Sequence, residues 1–327
     1  MTVSGRALAT MPYAPGAARS RRCAWTEFLL AMAFFAAAVS FPVNAAPERE
    51  PMKMGFYLPA IRDANMTDVK VSLGIWIDEI AKPYGVKVTS SLYEDMPSIR
   101  EAVIQGDVNF ISAPGMELAE VFAPADLRQG YANHHIGSEE GLALVVPRAA
   151  NIRSVADLRD KRVARIGKHH AYEYFLEVQC LKASGLECKD YLKIIEEKRD
   201  IQSLYDVFFG RADAALVSLP TLRMAAEMNP QVSQKLTVIL DWKVKGLVFG
   251  MMTKYTDPEY RDIIVNTVQE AITKPRARQI LEVFKTSSLV PADADDLMPF
   301  RALLREYKDL LKTRKPSRQQ SRKEAKS

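Results

Sequence analysis

Cysteine and histidine are scarce in this sequence: 3 Cys and 4 His occur among 327 residues. So few thiols cannot form the dense set of bridges that holds a small disulfide scaffold together. The histidines come as two adjacent pairs, His134-His135 and His169-His170, and adjacent residues of a strand point to opposite faces. A zinc site built from several histidines therefore has no support in the spacing, and we expect neither a metal site nor a cofactor.

The glycine-rich motifs that cradle phosphate groups are also missing. Neither G-x-G-x-x-G nor G-x-x-x-x-G-K-[ST] occurs, so the sequence does not indicate a nucleotide-binding enzyme. The G-x-S-x-G elbow of α/β hydrolases and the H-E-x-x-H metal helix do not occur either. An enzyme that used His169 or His170 as a base would need a second catalytic group, and the sequence offers none. We therefore predict no catalytic residues.

An excess of basic charge is lacking in the part of the chain that must fold. The formal net charge is +5, but residues 1–46 carry +3 and residues 312–327 carry +6, which leaves −4 for residues 47–311. No basic stripe interleaved with aromatic residues occurs there, so nucleic-acid binding is not indicated. The polar, basic tail at 312–327 is expected to be disordered. It is either a solvated extension or a contact for an anionic membrane surface or a partner.

No apolar run reaches the length of about 20 residues that a helix needs to span a bilayer. The run Phe28–Val39 has 12 residues, follows an Arg-rich stretch and precedes the small residues Ala45 and Ala46. This order is typical of a secretory signal peptide, which we place at residues 1–46, so we expect export to the periplasm. The alternative is an uncleaved membrane anchor.

Export would place the two cysteines of the mature chain, Cys180 and Cys188, in an oxidising compartment. They lie eight positions apart around the helix-stop signal Ser184-Gly185. A pair this close can form a local bridge across a helix end. The alternative is two separate thiols, one buried on a helix and one on a loop.

Alternating and continuous apolar segments predict an α/β fold with two similar lobes. Strand, helix, strand, helix and strand follow one another from Met52 to Ile111, and the same order starts again at Gly141. This spacing predicts a mostly parallel sheet in each lobe, flanked by helices, with a ligand cleft between the lobes. The segment from Asp257 to Leu311 is predicted to be mostly helical.

Three segments resemble a known family: YEDMPSIREAVIQGDVNFISAPG at 93–115, GLALVVPRAANIRSVADLRDKRVARIG at 141–167 and FFGRADAALVSLPTL at 208–222. In order and spacing they are similar to the substrate-binding proteins of phosphate, phosphite and phosphonate ABC importers, which have the type 2 periplasmic binding protein fold. The resemblance runs from about Met54 to Pro291. It implies a protein that performs no chemistry, closes on a solute by hinge motion and presents it to a membrane permease.

The resemblance also implies that the chain builds most of one lobe, crosses to the other and returns. We assign 52–136 and 246–311 to lobe 1 and 137–245 to lobe 2, with crossings near Gln129–Gly141 and Trp242–Gly250. We expect a monomer whose partners are a small anionic solute and the membrane subunits of an ABC permease. The alternative is a periplasmic sensor of the same fold that reports ligand occupancy to a membrane signalling protein.

Comparison with the family places the ligand at the start of the helix that follows the strand Arg162–Gly167. Relatives that bind phosphonates have a Ser/Thr-rich segment there, whereas this chain has Lys168, His169, His170 and Tyr172. A helix N-terminus still attracts an anion, and Lys168 with either histidine would add a charged hydrogen bond. The expected ligand is a phosphonate or phosphate, or else a small organic carboxylate.

Further ligand-binding candidates lie where strands end, because the carboxyl ends of strands in an open sheet face the ligand crevice. They are Tyr57, Ser112 and Ser218, and Trp242 joins Tyr57 and Tyr172 as aromatic lining that suits an organic ligand. Tyr57 can equally be a surface aromatic. The hydroxyl of Ser112 is equally suited to hydrogen bonding within a turn.

Overall fold

The computed structural model describes residues 50–61, 66–76, 81–283 and 286–313. The predicted signal peptide at 1–46 and the basic tail from residue 314 onward lie outside these ranges. The tail was predicted to begin at residue 312, but the last helix of the described chain includes Lys312. Among the described residues, no helix is both long enough and apolar enough to cross a bilayer.

Within the described chain, one sheet has six strands in the spatial order β11-β4-β10-β3-β1-β2. These strands are β1 (Met52–Tyr57), β2 (Val88–Tyr93), β3 (Phe110–Pro114), β4 (Leu127–His134), β10 (Val248–Thr253) and β11 (Ser288–Ala292). They come from two parts of the chain, one before and one after the segment that builds the other sheet. We call this sheet and the helices packed on it lobe 1.

The other sheet, which belongs to lobe 2, comes from one continuous segment and has the order β7-β6-β8-β5-β9. Its strands are β5 (Glu140–Pro147), β6 (Arg162–Ile166), β7 (Lys193–Glu197), β8 (Ala214–Ser218) and β9 (Leu236–Val244). The side chains from Leu142 to Val146 are all fully buried. A continuous apolar run of this kind is what a central strand covered on both faces requires.

The prediction of mostly parallel sheets is wrong, because both sheets are mixed. In lobe 1, β1 pairs in parallel with β2 and β3, but β10 pairs antiparallel with β3 and β4. In lobe 2, β6 pairs in parallel with β7 and β8, but β5 pairs antiparallel with β8 and β9. The chain leaves lobe 1 along β4 and returns along its neighbour β10, so these strands must run in opposite directions. The two-lobed α/β architecture is confirmed.

Two strands of lobe 1, β4 and β11, were not predicted from the sequence. β4 occupies part of the predicted crossing, and β11 lies in the segment predicted to be mostly helical. In β4 the exposed Arg128 and Gln129 and the glycine Gly130 interrupt the apolar alternation. Gly130 is needed here because a Cβ atom would collide with the carbonyl oxygen of Gly250 in the neighbouring β10.

Helices connect and flank the strands. Their bounds are α1 (Met66–Trp76), α2 (Met96–Ile104), α3 (Gly115–Val121), α4 (His170–Ser184), α5 (Cys188–Tyr191), α6 (Asp200–Phe208), α7 (Leu219–Met228), α8 (Gln231–Lys235), α9 (Pro258–Ala271), α10 (Pro275–Val283) and α11 (Met298–Lys312). Helix α4 ends at Gly185, whose φ of 74° is the left-handed conformation that glycine adopts easily. Beyond this turn, Cys188 of α5 forms a disulfide with Cys180 of α4, with the Cα atoms 5.3 Å apart.

Helix α11 packs against both lobes, contacting α3 of lobe 1 and α4 of lobe 2. The ring of Phe300 on this helix lies 5.9 Å from Phe249 in β10 and 5.2 Å from Trp242 in β9. Trp242 also stacks on Phe175 of α4, with 5.8 Å between the ring centres. These rings belong to a single hydrophobic cluster with buried members in both lobes, so the lobes are in direct contact.

Candidate functional site

The site lies where α3 of lobe 1 meets the first turn of α4 in lobe 2. Helix α3 begins directly after β3, and α4 begins at His170, four residues after β6 ends at Ile166. The start of α4 is the position at which the sequence predicts an anion. Its first turn carries His170 and Glu173, and His169 precedes it in an extended conformation.

His170 forms a charged hydrogen bond with lobe 1. Its Nδ1 lies 2.7 Å from Oε2 of Glu120 on α3, and the hydroxyl of Tyr174 donates to Oε1 of the same carboxylate at 2.6 Å. The hydrogen bond with Glu120 raises the pKa of His170 to about 9, although partial burial opposes the charge. Burial by itself would raise the pKa of Glu120, but the bonds from His170 and Tyr174 outweigh it and lower that pKa. His170 is therefore protonated at neutral pH and bound to the opposite lobe.

His169 is uncharged, unlike its neighbour. Burial lowers its pKa to about 4, and the adjacent charge of His170 acts in the same direction. The edge of its ring faces the ring of Tyr172, with 4.8 Å between the centres. Its Nδ1 is buried without a hydrogen-bond partner. His169 can therefore offer a neutral ring nitrogen to a ligand, but not a positive charge.

Glu117 of α3 places a carboxyl group against the start of α4. The group is buried, hydrogen bonds with the backbone of His170, and has one oxygen without a partner. Burial raises its pKa to about 7, which the nearby charge of His170 counteracts only in part. The helix end predicted to hold an anion thus contacts a carboxyl group of the protein itself.

A buried polar cluster lies on the lobe 2 side of the site. The hydroxyl of Ser218, at the end of β8, donates to the carboxylate of Asp200 at 2.6 Å and accepts from the backbone N–H of Thr221 at 3.2 Å. The Tyr172 hydroxyl also hydrogen bonds within this cluster. Burial raises the pKa of both Asp200 and Tyr172, so the cluster is costly to ionise. The Ser218 hydroxyl is already used as a helix cap.

Lys168, a predicted ligand residue, and Glu173 lie at the edge of the site. Lys168 is exposed and has a φ of 55°, in the left-handed region that side-chain-bearing residues seldom adopt. Glu173 pairs with Arg165 at 3.5 Å, and Arg165 also pairs with Glu196 at 3.1 Å. Arg165 therefore compensates part of the negative charge that Glu173 brings to this helix end.

The remaining predicted ligand residues do not lie in this group. Tyr57 and Ser112 line a cavity inside lobe 1. Trp242 packs among Phe175 and Phe300, so its ring stabilises the contact between the lobes. His135 Nδ1 lies 2.8 Å from Glu140 in the link between the lobes, and His134 lies 3.7 Å from the same carboxylate. In the described part of the chain, no cluster of three His, Cys, Asp or Glu side chains has the arrangement of a metal site.

A family model described as the periplasmic substrate-binding protein of phosphonate ABC transporters matches residues 61–297, well over half of the chain. The chain belongs to this family. Members of this family are transporter binding proteins and not catalysts. A comparison with curated protein sequences finds no match.

Solved structures show the same fold as this phosphonate-type substrate-binding protein. PhnD1 of Prochlorococcus marinus, in complex with methylphosphonate, is 14% identical with a TM-score of 0.55, covering 79% of this chain and 98% of its own. A Xanthomonas citri protein bound to ATP is 12% identical with a TM-score of 0.57, covering 81% and 99%. A binding component of a phosphonate ABC transporter from Pseudomonas aeruginosa is 12% identical with a TM-score of 0.53, covering 80% and 88%.

Sequence analysis missed three acidic residues of this substrate-binding protein: Glu117, Glu120 and Asp200. Glu117 and Glu120 lie on a short helix that directly follows a strand, and their partners are on the other lobe. His170, for example, is 50 residues further along the chain than Glu120. Asp200 begins α6 after β7, a position equivalent to those used to choose His170 and Ser218. Applying the strand-end rule to every strand of lobe 2 would have found Asp200.

Proposed function

We propose that this protein is exported to the periplasm, binds a small anionic solute between its lobes and delivers it to the membrane subunits of an ABC importer. Its family membership supports the transport role. The N-terminal sequence supports export, because a basic stretch precedes an apolar run too short to span a bilayer. The protein acts as a monomer in this proposal.

The ligand class rests on the position of Glu117. Its carboxyl group lies at the N-terminus of α4, a helix of 15 residues, and hydrogen bonds with the backbone of His170. Free N–H groups and the helix dipole favour a negative charge at such a position. A carboxylate or phosphonate of a solute presents the same kind of oxygen as Glu117. The anionic group of the solute therefore replaces Glu117 at this helix end.

The charges around this helix end favour a singly charged solute. Glu117, Glu120 and Glu173 lie close to the position, whereas the protonated His170 is already bonded to Glu120. A second negative charge on the solute would be repelled in a site with little water to screen it. Small carboxylates, sulfonates and singly ionised phosphonates fit these charges better than a dianion.

The experiment is calorimetric binding of methylphosphonate, phosphate, methanesulfonate and acetate to the protein purified after expression of the full chain. Glu117→Ala removes the competing carboxylate, and we expect it to tighten binding of at least one anion by about tenfold or more. Glu227→Ala is the matched control, because Glu227 is 62% exposed and pairs only with Arg223 on its own helix among the contacts described. Failure of every anion to bind the unmodified protein, or weaker binding to Glu117→Ala, would overturn the proposal.

A further inference from the structure

Lobe 1 contains an apolar cavity with a volume of about 150 Å³. It lies between one face of the sheet and the helices α1, α9 and α10. Most of its lining is aliphatic or aromatic and includes Met54, Phe56, Phe110, Val268, Leu281 and Leu289. Protein interiors contain few voids larger than a water molecule, and an apolar void of this size stays dry and admits a benzene-sized molecule. The cavity thus has the size and surface to hold a six-carbon group.

The polar side chains that line the cavity are those of Tyr57, Ser112, Tyr131, Asn133 and Thr286. The strand register places Ser112 beside Phe56 and Gly250, and Asn133 beside Leu289. Asn133 is the seventh of the eight residues of β4 and Tyr57, which also lines the cavity, is the last residue of β1, whereas Ser112 is the middle residue of β3. β4 leads from Asn133 directly into the link to lobe 2. Asn133 and Tyr57 therefore lie toward the end of the cavity nearer the crossing between the lobes, and Ser112 lies midway along its strand.

The cavity lining at the start of β1 and β3 is apolar in the part of the chain that the structure describes. Met52 and Met54 come from the start of β1, and Phe110 from the start of β3. Tyr131 ties the sheet to α9 beside the cavity, because its hydroxyl donates to the carbonyl oxygen of Ile264 at 2.9 Å. An apolar pocket with a small number of polar groups is the usual form of a site for an organic ligand.

We infer that this cavity binds the apolar substituent, a phenyl ring or branched alkyl group of about six carbons, of an organic solute whose charged group lies toward the lobe crossing. The inference rests on the proposed function, because the solute enters from between the lobes. It narrows the substrate class from small anions to aryl- or alkyl-substituted anions. Ser112 and Asn133 then orient the solute by hydrogen bonding near the junction of its two parts.

Two kinds of probe test binding to the cavity and binding to the anion site independently. Benzene alone tests the cavity by its effect on thermal unfolding, and phenylphosphonate is compared with methylphosphonate by calorimetry. Val268→Phe fills the cavity from α9, where Val268 is 2% exposed, and Val248→Leu fills it less by adding one methylene group. Val71→Phe is the matched control, because Val71 lies on α1 but is 57% exposed.

We expect benzene to raise the Tm of the unmodified protein and of Val71→Phe, but not of Val268→Phe. Phenylphosphonate should bind at least tenfold more tightly than methylphosphonate, and Val268→Phe should remove this difference while methylphosphonate still binds. Val248→Leu gives an intermediate result even if Val268→Phe fails to fold. No effect of benzene, an equal effect on Val268→Phe, or equal affinity for the two phosphonates would overturn the inference. If benzene raises the Tm but no anion binds, the result would contradict the proposed function and not the assignment of the cavity as an apolar binding site.

Discussion

The two lobes share a plan but differ in how tightly their sheets are packed. In lobe 2, every side chain from Leu142 to Val146 in β5 and from Ala214 to Val217 in β8 is fully buried. In lobe 1, the corresponding central strands border a cavity of about 150 Å³. The difference indicates that lobe 2 is the rigid half, which fixes α4 and its polar cluster, and that lobe 1 has space for a guest.

The largest expected effect is on the free energy of unfolding, when one leucine in the core of each lobe is replaced by alanine. Leu144→Ala in β5 should lower the free energy of unfolding by about 3–5 kcal/mol, because a tightly packed site cannot collapse around the lost atoms. Leu281→Ala, which borders the existing cavity, should cost only about 2 kcal/mol, because the side chain makes fewer contacts on that side. Urea unfolding followed by fluorescence and circular dichroism measures both. Equal losses would show that the two cores are packed alike.

Removing the disulfide should destabilise lobe 2 in particular. The bond closes a short loop between α4 and α5, and Cys180→Ala with Cys188→Ala should lower the free energy of unfolding by about 2–3 kcal/mol. Hydrogen exchange should show faster opening of amides in α4 than in β1 of lobe 1. Unchanged exchange in α4 would show that the disulfide does not stabilise this helix.

Glu117→Gln should make the protein more stable at neutral and higher pH. Burial raises the pKa of Glu117 from 4.5 to about 7, so the folded state holds a proton that the unfolded chain has released in that range. Native Glu117 therefore lowers stability progressively as pH rises from 4.5 to 7. The variant should gain about 3 kcal/mol at pH 8 and nothing near pH 4. The difference in Tm between variant and parent, followed from pH 4 to pH 8, measures this; a gain that does not change with pH would contradict it.

The smallest effect concerns the hydrogen bond that joins the lobes. The pKa of His170 is raised from 6.5 to about 9, so its pairing with Glu120 stabilises fully below pH 6.5 and is lost as pH rises through 9. Because the His170 side chain is 40% exposed, solvent screening limits the coupling to about 1 kcal/mol. A double-mutant cycle of Glu120→Gln and His170→Gln at pH 6 and pH 10 should show coupling only at pH 6. Equal coupling at both values would rule out a charged pair.

The sequence predicts well the strands and helix ends whose signals lie in residues adjacent along the chain. The apolar run of β5, the alternation of β1 and the glycine that ends α4 are all local signals, and the structure places strands and a helix end there. β4 and β11 were not predicted because pairing with strands distant in the sequence stabilises them. β4 contains Gly130 and β11 contains Pro291, and both residue types are uncommon inside strands. The contacts of Glu117 and Glu120 are equally non-local, and no periodicity along the chain could reveal them.

The strand order has a consequence for how the protein folds. The sheet of lobe 2 comes from one stretch, residues 140–244, so it can form as soon as that stretch is available. The sheet of lobe 1 needs β10 and β11, and these follow the whole of lobe 2 in the chain. Closing so large a loop costs entropy and slows folding. Lobe 2 should therefore fold first and serve as the surface on which the two separated parts of lobe 1 come together.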